Sequence, residues 1–245
     1  DGTDYTLLHH FSSSLGSYPG PELALAGSTL YGTTRQGGNS GYGTVFRLNT
    51  NGTGYTVLKH FTGSDGRTPN GGLTLAGSTL YGTTYEGGSN NRGTVFKMST
   101  DGTGYAVLTH FASASGGSSP RAGVTLWGPT LYGTTEFGGS NFIGTAFKVN
   151  TDGTGYTVLK HFSNSDGSYP QAGLTLSRGT LYGTTKLGGS LNLGTVFSIS
   201  VPSPPGYNQM VPAWLVGGEL QLSYLGETGV EYALDRTFSL TNPVD

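Results

Sequence analysis

Cysteine is absent from the chain, which excludes disulfides and thiolate metal sites. Charge is scarce: 11% of the 245 residues are charged, against roughly a quarter in ordinary domains. No run of one sign occurs, so the chain offers neither a basic stripe for nucleic acid nor a polybasic patch for a membrane surface. No apolar run reaches the ~18 residues of a transmembrane segment, and no signal peptide is visible. Helical periodicity is missing from the first 200 residues. With so few charges, the surface is left to Ser, Thr, Asn, Gly and Tyr. That composition, without cysteine, fits an exported bacterial protein, extracellular or at the cell surface.

What is abundant is glycine, 44 residues, and it recurs in a pattern. LYGTT begins at Leu30, Leu80, Leu131 and Leu181. Each copy continues through GG and a short variable stretch to GTVF or GTAF. After three of the four, NGTGY or DGTGY leads into a run ending in His-Phe. A period of about 50 residues marks an array of identical supersecondary units. Each unit holds four short runs rich in Val, Leu, Thr, Tyr and Phe, bounded by Gly, Asp, Asn or Pro. In the second copy these are A (GLTLAG), B (TLYGTT), C (GTVFKMS) and D (YAVLTHF). Four antiparallel strands per repeat is the format of a β-propeller blade, and the DG turn between C and D argues against a β-solenoid.

The spacing therefore predicts an all-β fold, a β-propeller of four blades over residues 1–200. The chain opens with a D-type run, Tyr5 to Phe11, and the fourth copy stops after its C run at Ser200. Pairing those two would close the ring and remove both sheet edges. Residues 201–206 read as a linker, and 207–245 as a short β-rich segment with three candidate strands. If that segment contributes a blade, the ring has five. Because the first residues start in mid-repeat, the natural N-terminus is expected upstream.

LYGTT-x-x-GG, GTVF, DGTGY and the P-x-x-GL before the next LYGTT together resemble the GloVer tandem repeat of bacterial exported proteins, over residues 1–200. The tail from Gly217 looks like the start of a β-rich C-terminal module. The resemblance implies export and surface anchoring, and it carries no activity that transfers to individual residues.

Candidate site residues come from differences between the copies. The A–B and C–D turns are nearly invariant, whereas the B–C and D–A loops vary, and both variable loops fall on one face. The B–C loops supply Arg35, Gln36, Tyr42, Tyr85, Glu86 and Arg92 in the first two copies, and Glu136, Phe137, Phe142, Ile143, Lys186, Leu187, Leu191 and Leu193 in the last two. The D–A loops place Gly20, Asn70, Arg121 and Gln171 after a proline, expected around the mouth of a central channel. Glu22 stands where the other copies have Gly72, Gly123 and Gly173.

His10, His60, His110 and His161 recur on the outermost strand, too far apart for one metal; an interblade hydrogen bond is the expectation. Asp65 and Asp166, one carboxylate per loop, fit turns better than calcium. The Asn51-Gly52-Thr53 sequon sits in a C–D turn. No G-x-S-x-G occurs, and no cofactor motif is present. Glu22, Glu86 and Glu136 are the acids that a paired-carboxylate glycosidase would have to use. The reading is a binding or surface-assembly module that recognises a glycan or protein through the loop face and has scope for self-association. A carbohydrate-active enzyme and a subunit of an extracellular polymer are the alternatives.

Overall fold

The computed structural model describes residues 4–112, 115–204, 210–214 and 220–224, and among them every regular element is a β-strand. Among the described residues no helix is long and apolar enough to cross a membrane. Four antiparallel sheets follow one another along the chain. Blade I holds β2 (Ala24–Ala26), β3 (Thr29–Gln36), β4 (Thr44–Asn49) and β5 (Thr56–His60), with a short β1 (Ser17–Pro19) beside β3. Blade II holds β6 (Thr74–Ala76), β7 (Thr79–Thr84), β8 (Thr94–Ser99) and β9 (Ala106–His110). Blade III holds β10 (Thr125–Trp127), β11 (Thr130–Thr135), β12 (Thr145–Asn150) and β13 (Thr157–His161). Blade IV has three strands, β14 (Thr175–Ser177), β15 (Thr180–Thr185) and β16 (Thr195–Ser200). The A-to-D order is thus a propeller-like repeat.

The recurring motif has a physical reason at each letter. The glycine of LYGTT lies under its own blade's C-strand phenylalanine: a methyl on Gly82 would meet Phe96 Cζ at 2.5 Å. The last threonine bonds across to strand C, Thr84 to Thr94 at 2.8 Å, and the other three blades repeat the pair. The preceding threonine donates to the next blade, Thr83 to the Ala122 carbonyl at 2.8 Å, with Thr33 and Thr134 doing the same. Asn51, Asp101 and Asp152 each accept the Thr N–H two residues on, which fixes the C–D turn and occupies the sequon's asparagine. Asp65 accepts the Thr62 N–H and pairs with Lys59 at 2.5 Å; Asp166 does so with Ser163 and Lys160. Both aspartates hold turns.

The core lies between blades. Tyr31, Val45 and Phe61 of blade I meet Leu73, Leu80, Phe96 and Met98 of blade II. Tyr81, Val95, Leu108 and Phe111 of blade II meet Val124, Leu131, Phe147 and Val149 of blade III. Each fully buried Phe contributes roughly 1.5–3 kcal/mol of transfer free energy. The tyrosine that opens strand D seals the joint: Tyr105 stacks on Phe96 with centroids 5.6 Å apart and donates to the Asp65 carbonyl at 2.7 Å. Burial lifts its hydroxyl well above the ordinary phenol range.

Two expectations need correction. The ring is not closed by the N-terminal strand: among the described residues β16 pairs only with β15, and Tyr5 to Phe11 forms no ladder. That segment does pack on blade I in the manner of a D strand. Leu8 covers Gly52 as Leu58 covers Gly102, and Phe11 lies 5.2 Å from Phe46 as Phe61 lies 5.4 Å from Phe96. The histidines bond within their blade rather than between blades, and as acceptors. His60, His110 and His161 take the backbone N–H of Asn39, Ser89 and Ser140 on Nδ1, at 3.1 to 3.2 Å. They pin the GG turn of each B–C loop.

The chain divides into two compact units, Asp1–Pro204 and Pro205–Asp245. The first residues of the segment read as a linker are anchored to the first unit. Val201 is buried, its N–H donates to the Gly179 carbonyl at 2.8 Å, and Trp127 Nε1 donates to the Pro202 carbonyl at 3.2 Å. In the second unit β17 (Met210–Trp214) and β18 (Leu220–Tyr224) form a hairpin with Pro212 opposite Leu222. The third expected strand lies outside the described residues, as does Tyr207 of the five-blade alternative.

Candidate functional site

The variable loops form one hydrogen-bonded face. Within a blade, the D–A loop pairs with the end of strand B, Arg67 with Glu86, Ser118 with Phe137 and Ser168 with Leu187. Between blades, the residue before each loop proline donates to the preceding B–C loop: Thr68 to Tyr42, Ser119 to Arg92, and Tyr169 to Ile143 at 2.7 Å. Those donors have φ between 55 and 58°, a left-handed conformation that bulky residues rarely adopt.

On this face Glu136 draws residues of three blades together. Its carboxylate is buried, 6% exposed, and accepts from Tyr85 of blade II at 3.0 Å. It also accepts from Gln171 of blade IV at 2.6 Å and pairs with Arg121 of its own blade at 3.3 Å. Burial, and then the bond to Glu136, push the Tyr85 hydroxyl up to about 12. A carboxylate held by three donors is a tie between blades.

Beside that tie, in blade IV, a cavity of about 330 Å³ opens between the D–A and B–C loops. Asn164, Ser168, Tyr169, Leu187, Gly189 and Asn192 line it. Its chemistry is amide, hydroxyl and aromatic, with no charge. Phe137 stands edge-on to Tyr169 with centroids 5.7 Å apart. Phe142 is 64% exposed at φ +62°, in the loop position where the other blades carry Gly41, Asn91 and Asn192. A large aromatic in a backbone conformation suited to glycine or asparagine, turned to solvent, marks strain at a surface that packing does not require.

The sequence profile of the Gloeobacter/Verrucomicrobia repeat matches residues 1–197. The chain belongs to that repeat family. No curated protein matches it in sequence. Among solved structures, a chain of a nidogen/laminin complex is similar with a TM-score of 0.50 and 18% identity, over 71% of this chain and 56% of that one. TolB from Acinetobacter baumannii aligns at a TM-score of 0.49 and 13% identity over 80% of this chain and 40% of its own. A TolB from Agrobacterium tumefaciens aligns at 0.46 and 11% identity, over 80% and 61%. The family chain therefore spans little more than half of the nidogen/laminin chain, and that likeness concerns the fold alone.

Of the residues singled out in this family member's sequence, Tyr85, Arg121, Glu136 and Gln171 come together. Leu187 lines the cavity, Phe137 stands against its Tyr169, and Phe142 is exposed on the blade III loop next to Ile143, whose carbonyl accepts the Tyr169 N–H. Glu86 pairs with Arg67 at 3.0 Å, and Arg67 lies 5.8 Å over the Tyr42 ring. Glu22 lies over Gly72, so close that a methyl there would meet its carboxylate at 2.5 Å; Gly72 in turn crowds the backbone of Gly123. At Gly72 and Gly123 the innermost loops approach closely, whereas Gly173 has only the Ala122 methyl near it, at 3.9 Å; blade I carries Glu22 at this position. Glu22, Glu86 and Glu136 share no hydrogen-bond or ion-pair partner. Arg35, Lys186, Leu191 and Leu193 are exposed, and Asn70 and Arg92 half-buried, outside the cluster. Sequence comparison passed over Arg67, Asn164, Ser168, Tyr169 and Asn192. The signal was present at Tyr169, because the residue before each loop proline is Tyr in two copies and Thr or Ser in the others: Tyr18, Thr68, Ser119 and Tyr169.

Proposed function

We propose that this protein is a non-catalytic binding module, exported from the cell, whose loop face takes a neutral sugar unit of a glycan at the blade IV cavity. The observation that carries the reading is the cavity's lining: uncharged amides and hydroxyls beside an aromatic ring. Sugars present hydroxyls to such groups and apolar C–H faces to such rings. Phe137, edge-on to Tyr169, extends the aromatic surface, and Phe142 is exposed on the same blade III loop, which suits a chain longer than one residue. The loops differ between blades while the scaffold repeats, so the specificity resides in blades III and IV.

The test is calorimetric titration of the full chain with neutral, acidic and amino oligosaccharides, alongside Phe142→Ala and Asn164→Leu. Losing one aromatic platform is expected to weaken neutral-sugar binding about tenfold, or ~1.4 kcal/mol. Equal affinity in wild type and both variants, or no binding by any sugar class, overturns the reading. Binding of a protein that both variants abolish, with no sugar bound, would move the assignment to a protein partner.

A further inference from the structure

The blade IV cavity is framed by a D–A loop of a particular shape, and blade I repeats that shape. In blade IV the N–H groups of Asp166 and Gly167 both donate to the Ser163 carbonyl, at 3.0 and 2.9 Å. In blade I Leu15 and Gly16 both donate to the Ser12 carbonyl, at 3.1 and 2.8 Å. The second glycine of the GG turn reaches the loop in the same way, Gly189 to the Asn164 carbonyl at 2.8 Å and Gly38 to the Ser13 carbonyl at 3.1 Å. Strand C adds a hydroxyl to each loop, Thr195 to the Asp166 carbonyl at 3.0 Å and Thr44 to the Leu15 carbonyl at 3.5 Å. The pairing of Ser168 with Leu187 has its counterpart in Ser17 opposite Gln36. All these contacts lie within one blade, so neither neighbour takes part in them.

The other two blades depart from the pattern. Blade II keeps the glycine bond, Gly88 to Gly63 at 2.8 Å, but closes its loop by an exchange between Gly63 and Gly66 at 3.1 and 3.3 Å. Its Arg67, paired with Glu86 at 3.0 Å, stands where blades I and IV have Ser17 and Ser168. Blade III has Ser118 there, but its loop is one residue longer, and Ser119 precedes its proline. Tyrosine before the loop proline is confined to blades I and IV. Tyr18 and Tyr169 both follow a serine and hold the same left-handed backbone, at φ 56 and 55°. The register sets Ser13, Ser17 and Gln36 beside Tyr18, as it sets Asn164, Ser168 and Leu187 beside Tyr169. Hydroxyl, amide and aromatic ring recur without a charge.

We propose that blade I carries a second subsite of the same chemical class, at which the Tyr18 ring and the hydroxyls of Ser13 and Ser17 take a neutral sugar unit. The inference rests on the reading of the blade IV cavity and extends it. With Ser13 for Asn164 and Gly41 for Asn192, the blade I subsite presents fewer amides. It adds hold, while discrimination stays with blades III and IV. Both subsites lie on the loop face, and a long glycan that reaches both makes its second contact intramolecularly.

Calorimetric titration of the full chain with cellotriose, mannotriose and maltotriose counts the subsites. The probe is carried to about 10 mM, where a millimolar contact is nearly filled. The wild type is expected to bind two molecules per chain of the sugar it accepts. Tyr18→Ala and Ser13→Leu, both at exposed positions, are expected to melt like wild type and to bind one. Asn164→Leu also binds one, and Tyr18→Ala combined with Asn164→Leu binds none. One sugar per chain, lost in Asn164→Leu and untouched by Tyr18→Ala, overturns the second subsite and leaves the blade IV reading standing. Two per chain in the wild type, with both retained by Tyr18→Ala and Ser13→Leu, would put the second sugar elsewhere and overturns it too. No binding of any probe by the wild type overturns both readings.

Discussion

Glu136→Ala is expected to cost about 2–3 kcal/mol of stability. The substitution removes the shared acceptor of Tyr85 at 3.0 Å, Gln171 at 2.6 Å and Arg121 at 3.3 Å. Hydrogen bonds to a charged group are worth roughly 1.5–3 kcal/mol each. The sum is not realised, because Arg121 is 44% exposed on its side chain and water replaces much of what it loses. Tyr85 and Gln171 are half-buried and recover less. For a chain of this size the loss corresponds to a fall in Tm of about 5–10 °C. Glu86→Ala is the control. Its ion pair with Arg67 has side chains 31% and 40% exposed, so its removal costs about 0–1 kcal/mol. Urea denaturation followed by circular dichroism measures both. Arg121→Ala and Gln171→Ala combined with Glu136→Ala should fall short of additivity, because all three changes act on one node. If Glu136→Ala and Glu86→Ala lie within about 0.5 kcal/mol of each other, the carboxylate is not a tie between blades and the reasoning fails.

Further outcomes follow from the same contacts. Gly82→Ala drives a methyl to 2.5 Å from Phe96 Cζ and should cost about 1–3 kcal/mol by thermal melting; full wild-type stability would mean that the ring can move aside. Phe61→Ala removes a fully buried ring and should cost about 3–5 kcal/mol, and Phe11→Ala distinctly less, since Phe11 is half-buried beside the open face; equal costs would indicate a closed ring in solution. Burial raises the hydroxyls of Tyr55 and Tyr85 to about 12 and those of Tyr105 and Tyr156 further. An unfolded phenol titrates near ~10, so this stabilisation is complete below pH ~10 and is lost as pH rises through the folded values. The urea midpoint should stay level from about pH 7 to 9 and drop above ~10; a midpoint flat to pH ~12 would refute it. Trp127→Phe deletes the bond to the Pro202 carbonyl and should cost about 1 kcal/mol while freeing residues 201–204 to proteolysis.

The blade was legible because its letters are geometric necessities. Gly82 has no room for a side chain, Thr84 faces Thr94 across the sheet, and Asp101 fixes a turn by accepting the Thr103 N–H on its carboxylate. Such short-range requirements repeat with the sequence and can be read from it. The arrangement of blades was less legible. Ring closure was expected because Tyr5 to Phe11 matches a D strand, and that match is real on the side facing blade I. Whether its other edge reaches β16 depends on the angle summed over three junctions, which no single residue encodes. The site was legible in composition but not in grouping: Arg121, Glu136 and Gln171 were each visible as departures between copies. Their convergence requires the D–A loop of one blade to lie beside the B–C loop of the last. Tyr169 was missed because its meaning lies in a left-handed backbone before proline, which pattern alone does not suggest.

Blade IV, with three strands and one junction among the described residues, has consequences for how the molecule comes apart. Each blade touches only its neighbours, so opening can begin at an end without disturbing the middle. Amide protons of β15 and β16 should exchange through local fraying, well before those of β7 and β8, which sit between two junctions. The cavity lies within that fraying blade. Any molecule held there binds only the closed form, and so draws free energy from occupancy into the weakest part of the array. Occupancy would be reported far from the cavity itself, as slowed exchange along an edge strand whose own side chains never touch the guest.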